Sequence, residues 1–538
     1  MTRHIAERQA AIPIVGLLSF AALSAHAQID AGASGAISPT APTLDASASR
    51  DVGGLRGPST GFSVSSGVSL SGTYTDNSNL SATDKRSDFI TQVSPSISIR
   101  SNAGRVRGSL DYSLTAIQYA RGTESSRLLN NLAAALQAEA IENFAFVDFN
   151  AGISRQNISP LGQQSPDQNR ETSNQTEVRS VSISPYVRGS LSGAVNYEAR
   201  VTYATSHSGT DSLGNSINGG ASLHLGSDGR SKLDWAIDGY SQSSDYSKGR
   251  RTETQAGIGS LLYSINGDVR LSVHGGREYN NVLTADKEGS NTYGGGLRWT
   301  PSQRTALSAQ FDKRYFGNAH SIFFEHRTPQ TVWNYVNSRN VSSDAMGASR
   351  QQPLNEFQLL DLQLTSKYPD PVERSRQALL LLLLQGKNPL APAPGGFITS
   401  AVSLQRNQVL SFGYIGSRTT VLVSAQQSDS HRLDDQSNAS DALSNGNSIK
   451  QRSFSVGASH RLTPSTSASL NVSKSSTSDT LAGGKVDLLS FTASYYDQIA
   501  SRTSVSLSAR RNISSGDSSA LGSGYTESAL IATLTFQF

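Results

Sequence analysis

The chain has 538 residues, of which 36% are hydrophobic and 16% charged, with a formal net charge of +4. Soluble globular chains run at roughly 45–50% apolar and about 25% charged, so a string of ordinary soluble domains is excluded. The absence of cysteine removes disulfides, thiolate metal sites and thiol nucleophiles, and so small a net charge gives no basis for nucleic-acid binding.

The N-terminus has the layout of a secretory signal peptide. Arg3 and Arg8 form a basic start, and Ala10 to Leu23 is an apolar core too short to span a membrane. Ala25-His26-Ala27 is a small-x-small cleavage site, so cleavage is expected after Ala27. No other stretch is apolar over the ~20 residues that a spanning helix needs. Residues 28–60 are Ala, Ser, Gly, Thr and Pro with little periodicity, and read as a flexible periplasmic lead-in.

From about Gly61 the chain becomes a series of alternating runs. Val195, Tyr197, Ala199, Val201 and Tyr203 alternate with Asn196, Glu198, Arg200 and Thr202, and Leu307, Ala309 and Phe311 alternate with Ser308, Gln310 and Asp312. This period of two separates one apolar strand face from one polar face, and the regularity rules out disorder as the cause of the low hydrophobicity. Tight turns at 101–104, 226–229, 266–267 and 301–303 alternate with longer polar loops at 157–174, 282–289, 429–448, 476–484 and 515–523. Short turns on one side and long loops on the other are the pattern of an outer-membrane barrel. The expected fold is therefore all-β, a transmembrane antiparallel β-barrel of about 22 strands (roughly 18 to 24) with a short helical insert. Barrel strands occupy 61–341 and 398–538. Pro95 and Pro185 fall inside apparent strands and are expected near strand ends or at bulges.

Residues 342–397 break the alternation. Pro371 suits the first turn of a helix, Leu379 to Leu384 are consecutive leucines, and Gly386 and Pro389 end the run. Strand parity puts this insert outside the cell or folded into the lumen, where it would act as a plug or cap. The alternative is a surface helix pair whose leucines pack on each other. Barrels of about 22 strands tend to be plugged.

The chain ends on Leu534, Phe536 and Phe538, alternating with Thr535 and Gln537. This terminal strand resembles the C-terminal signature of bacterial outer-membrane barrels, and implies recognition by the barrel-assembly machinery.

Charged side chains on the polar face are candidates for lining the lumen: Arg107 and Asp111, Glu198 and Arg200, Arg270, Asp312, Arg314 and Arg510. Arg or Lys facing lipid would cost about 2–4 kcal/mol at mid-membrane. In the lumen they would set the selectivity of a polar conduit, or pair with one another as wall residues; the mixed signs predict no strong ion preference. No catalytic or metal-ligand spacing occurs among the histidines. His320, Glu325 and His326 lie close together and would suit a hydrolase at the barrel rim, but polar lumen or turn positions explain them more simply. Gly294 to Gly296 sit in a strand and do not open a helix, so they form no phosphate loop.

Arg314 to Asn318, Phe323 to Thr328 and Val332-Trp333 resemble the strand-turn-strand hairpins of PEP-CTERM system-associated outer-membrane proteins. The layout of signal peptide, strand array, late insert and terminal Phe is also similar. The resemblance implies a barrel that accompanies exopolysaccharide production, with outer-membrane lipid and polymer-export components as partners. It implies no enzymatic activity, cofactor or metal. A pore or conduit is the leading expectation. A structural or polysaccharide-binding surface barrel is the alternative, and a barrel hydrolase the third.

Overall fold

The computed structural model describes residues 61–101, 104–167, 170, 172–209, 215–343, 397–434, 441–444, 448–480, 483–516 and 524–538. Among them the chain forms 22 antiparallel strands in a single sheet. The first are β1 Phe62–Thr75, β2 Asp88–Ser101, β3 Val106–Tyr119, β4 Arg127–Ile141, β5 Ala145–Asn157, β6 Gln175–Leu191 and β7 Val195–Ser208. Then come β8 Ser216–Ser227, β9 Leu233–Tyr246, β10 Thr252–Ser264, β11 Val269–Asn280, β12 Glu288–Ser302, β13 Thr305–Arg314, β14 Gly317–Arg327 and β15 Thr331–Ser342. The last are β16 Ser403–Ile415, β17 Thr419–Arg432, β18 Ser448–Arg461, β19 Thr466–Asp479, β20 Lys485–Ala500, β21 Thr503–Gly516 and β22 Tyr525–Gln537. Each strand pairs with the next, and β22 returns to β1 from Gly67↔Gln537 to Thr75↔Ala529. Closure leaves no free edge, the condition for a sheet whose backbone must satisfy itself in hydrocarbon.

The period-two pattern explains the strands. In β22, Leu530, Leu534 and Phe536 point outward while Glu527, Ile531 and Thr533 point into the lumen. A strand of 13 residues rises about 43 Å and, tilted by about 40°, crosses about 33 Å, enough for the ~25 Å apolar band.

Both prolines lie in mid-strand, contrary to the expectation of strand ends or bulges. Pro95 pairs with Val68 of β1, and the β2–β3 ladder skips Ser94 and Pro95 before resuming in the same register at Ser96↔Ser113. Pro185 pairs with Val147 of β5, and the β6–β7 ladder skips from Ile183↔Tyr203 to Tyr186↔Arg200, again without a slip. Each ring replaces one donor on one side of its strand, and the neighbouring pairs hold the register.

The connections sort to two rims. One carries the turns after β2, β4 and each later even strand; Gly104 and Gly229 take the left-handed conformation there at φ 77° and 72°. The other carries the long loops. The sorting is incomplete, since β13 and β14 are joined on the loop rim by Tyr315 and Phe316 alone. Two expected loops also shorten: β17 runs to Arg432 and β19 to Asp479, because Ser-rich strand ends carry no apolar alternation to reveal them. The insert at 342–397 falls almost wholly outside the described residues, as do the signal peptide and the lead-in; its two flanking strands, β15 and β16, meet it at the loop rim.

Candidate functional site

The outer wall shows what surrounds the barrel. Val273 is 60% exposed and Leu530 62%, and they belong to a continuous outward set that includes Val201, Leu261, Phe311, Leu410 and Leu470. Soluble monomers do not expose apolar surface on this scale. All three tryptophans, Trp235, Trp299 and Trp333, face outward near the turn rim. Tyr74, Phe89 and Tyr279 do so near the loop rim. Two aromatic girdles flanking an apolar band mark the two interfaces of a bilayer. The chain is an outer-membrane β-barrel. In such barrels generally the short turns are periplasmic and the long loops external.

Seven of the eight charged residues read from the sequence are engaged with other side chains. Asp111 meets Arg100 at 3.3 Å. Arg200 bridges Asp148 at 2.6 Å and Glu198 at 3.0 Å, and its guanidinium lies 3.8 Å from the centre of the Tyr186 ring. Tyr186 stacks on Phe146, over which Arg188 lies in turn. Arg270 faces Asp234, and Asp312 meets His274 at 2.5 Å. Arg314 meets Glu278 at 2.5 Å and donates to Tyr240. Arg107, exposed near the turn rim, has no ion-pair partner among the described residues. The charges on this face are thus largely compensated in place.

The loop rim holds a larger construction that the sequence pattern does not announce. The described residues of loop 158–174 fold inward from β5 and β6. Asn174 holds its first turn by accepting from the Ser159 amide and donating to the Ser159 and Gln163 carbonyls. Farther along, Arg170 reaches Glu527 of β22 at 3.4 Å, both side chains 1% exposed. Glu527 also receives Arg510 at 3.4 Å, Asn512 at 2.8 Å and Thr75 at 3.0 Å. Arg170 donates to the carbonyls of Asn77 and Ser78, and Arg510 pairs with Asp167. One carboxylate therefore joins three strands and two loops. A buried carboxylate is tolerable only when paired and bonded in this way.

A second element crosses the mouth. Phe397 forms a parallel bridge with Asn157 at the end of β5, and the Ile398 amide donates to the Asn157 carbonyl at 3.2 Å. Six residues later the chain enters β16, eleven places from β5 in the ring of 22 strands. Every residue of this strap, Phe397 to Val402, is 1% exposed or less. Six extended residues reach about 20 Å, whereas a round ring of 22 tilted strands is about 40 Å across. Opposite sides of the rim are thus drawn toward each other along the strap. Asp441 holds its middle, accepting from the Thr399 hydroxyl at 2.9 Å and the Ser400 amide at 3.0 Å. Phe397 packs with Leu161, Leu443, Ile449 and Val486, and Val402 with Tyr246, Val282, Leu404 and Leu433. Beside the second cluster, Arg250 ties Asp434 at 2.9 Å to the carbonyls of Asn281 and Val282. Tyr315 packs there too, and burial pushes its phenol above the usual range, keeping it neutral. Apolar contacts and buried ion pairs close the loop-rim mouth from several sides.

The hydrolase reading loses its geometry. His320 and His326 share the outward face with Phe311 and Trp333, while Glu325 lies on the other face and pairs with Arg327 at 2.8 Å. Strand alternation separates the residues that such a site would have to bring together. Glu527, Asp441 and the strap were not singled out from the sequence. Glu527 was legible only as an acid on the lumenal face of an otherwise apolar terminal strand, and Phe397-Ile398 only as an apolar pair beside the insert.

No family model and no curated protein matches the chain. Among solved structures it is similar to the FrpB iron transporter from Neisseria meningitidis (F5-1 variant), at 10% identity and TM-score 0.47, covering 88% of this chain and 82% of that one. It is also similar to the siderophore receptor PirA from Pseudomonas aeruginosa, at 9% identity and TM-score 0.42, covering 88% and 80%. For OccK1 (OpdK) from Pseudomonas aeruginosa the identity is 10% and the TM-score 0.33, covering 88% and 99%. At these scores the likeness assigns neither a ligand nor an activity.

Proposed function

We propose that this barrel is a gated conduit of the outer membrane that works alongside exopolysaccharide production. The observation that carries the gate is the strap from Phe397 to Val402, which crosses between opposite sides of the ring and is held by side chains on separate loops. The compensated charges of the wall suit a weakly charged, hydroxyl-rich cargo better than a small ion. The polymer itself rests on the resemblance of the hairpins around Arg314 and Trp333 to PEP-CTERM system-associated proteins. On this reading the chain is exported through a signal peptide cut after Ala27, inserted by the barrel-assembly machinery through Leu534, Phe536 and Phe538, and meets export components in the periplasm.

The test is conductance of the purified full-length barrel in planar bilayers, with host exopolysaccharide added to one side. A mostly closed channel that opens in steps and is blocked by the polymer is expected. Silence in the wild type and in every variant with a loosened strap would reject the conduit. The same closed mouth favours a second reading, a surface barrel that binds polymer without passing it; polymer pull-down without current distinguishes that case.

A further inference from the structure

The outer wall is not electrically uniform around its circumference. On β1 and β2 the apolar face reaches the loop rim, with Tyr74 and Phe89 paired at the last rungs. On β6 and β10 the outward charges near that rim are neutralised locally, Arg179 by Glu177 and Arg251 and Lys287 by Glu253. The sector from β15 to β20 differs. Arg339 and Arg406 stand directly opposite each other on one ladder rung. The same row continues to Asp429 and Lys450, and the row beneath it carries Gln408, Gln427 and Arg452. Lys474 faces Phe454 at the upper edge of the apolar band, exposed and without an ion-pair partner among the described residues. Arg406 is exposed and unpaired in the same sense. Asp429 sits 4.0 Å from Lys450, and Asp487 pairs with Lys485, so among the described outward residues of this sector cations outnumber carboxylates.

Like charges on directly opposed positions destabilise a sheet, and unpaired cations beside an apolar band are costly unless something neutralises them. Both features face away from the lumen, so no solute in transit can supply the counter-charge. We infer that this sector is a binding surface for a phosphorylated lipid of the outer leaflet, its headgroup phosphates seated among Arg339, Arg406, Lys450, Arg452 and Lys474 and its acyl chains lying on Leu410, Phe454 and Leu470 below. Basic residues at the headgroup level recognise anionic lipid by charge, and arginine presents a fork that matches phosphate. The apolar side chains directly beneath make a lipid the fitting source of phosphate, since a soluble polyanion would leave them uncovered. This inference is independent of whether the lumen conducts.

The test is native mass spectrometry of the full-length barrel in detergent, titrated with bis-phosphorylated lipid A, its dephosphorylated form and phosphatidylcholine. The bis-phosphorylated form should be retained at least tenfold more tightly than the other two. Arg339→Gln, Arg406→Gln and Lys474→Gln combined should remove most of that preference with heat-modifiable migration unchanged, while Arg277→Gln on the outward face of β11 should leave it intact. If the combined variant fails to fold, Lys474→Gln alone should weaken retention severalfold. Equal retention of phosphorylated and dephosphorylated lipid, or undiminished retention in the variants, would overturn the inference. So would equally tight binding of a soluble phosphorylated glycan at the same residues, which would make the partner a polymer instead of a lipid.

Discussion

Replacing Glu527 by Gln tests the closed mouth at its most connected point. The amide keeps the volume and can still accept from Thr75, but it no longer neutralises Arg170 and Arg510. Removing one partner of a buried ion pair costs about 3–5 kcal/mol, because the remaining charge is stranded. Arg510 retains Asp167, and Arg170 retains two backbone carbonyls, so the low end, about 3 kcal/mol, applies. The penalty falls on the docked position of loop 158–174, since an undocked loop returns Arg170 to water. Docking should therefore weaken by about 100-fold. The assay is open probability in planar bilayers, with limited proteolysis of loop 158–174 in parallel as a direct reading of undocking. Both should rise together. If proteolysis accelerates while conductance stays at the wild-type level, the loop is docked as described but is not the barrier. If neither changes, the energetic argument about Glu527 is wrong.

Asn157→Cys with Phe397→Cys should lock the strap by a disulfide under oxidation, in a chain with no other cysteine, and abolish channel opening until a reductant restores it. Asp441→Ala removes both bonds to Thr399 and Ser400, and should raise open probability without altering the heat-modifiable gel shift that reports the barrel itself. Val273→Arg, on the lipid face, should destabilise the barrel by about 2–4 kcal/mol in urea titrations in lipid vesicles, whereas Ser272→Arg, facing the lumen one residue earlier, should cost far less. Pro95→Ala restores a donor where the β2–β3 ladder is interrupted, and should stabilise the same transition by up to about 1 kcal/mol.

The architecture was legible because the lipid and the lumen each impose a rule on alternate residues, and 22 strands obey it. The rule runs out where the bilayer does. The strand ends at Asp429 to Arg432 and Thr477 to Asp479 are polar on both faces, so the pattern cannot show where they stop. The prolines misled because a missing donor on one side of a strand leaves the other side free to set the register, as Val68↔Pro95 does. The mouth was out of reach for a different reason. Arg170 and Glu527 are far apart in sequence, and neither lies in a recognisable spacing; only closure of the ring brings the loop of one side to the last strand. The charges of the lumenal face were legible as a set, but their pairing was not, since Arg200 meets Asp148 two strands away as well as Glu198 in its own strand.

The meeting of β1 with β22 has a consequence for how the molecule is made. Thr75 and Glu527, bonded across that junction, are 452 residues apart, so no local event can form it. In a fully flexible chain, bringing such distant segments together would cost about 5 kcal/mol of chain entropy, a cost that pairing of the intervening strands lowers step by step. Until the junction forms the growing sheet has two raw margins able to recruit any passing strand. Biogenesis must therefore shelter both until the last step, and the carboxylate that locks the loops becomes available only when that step is complete. A barrel caught before it would lack not only its wall but its cover.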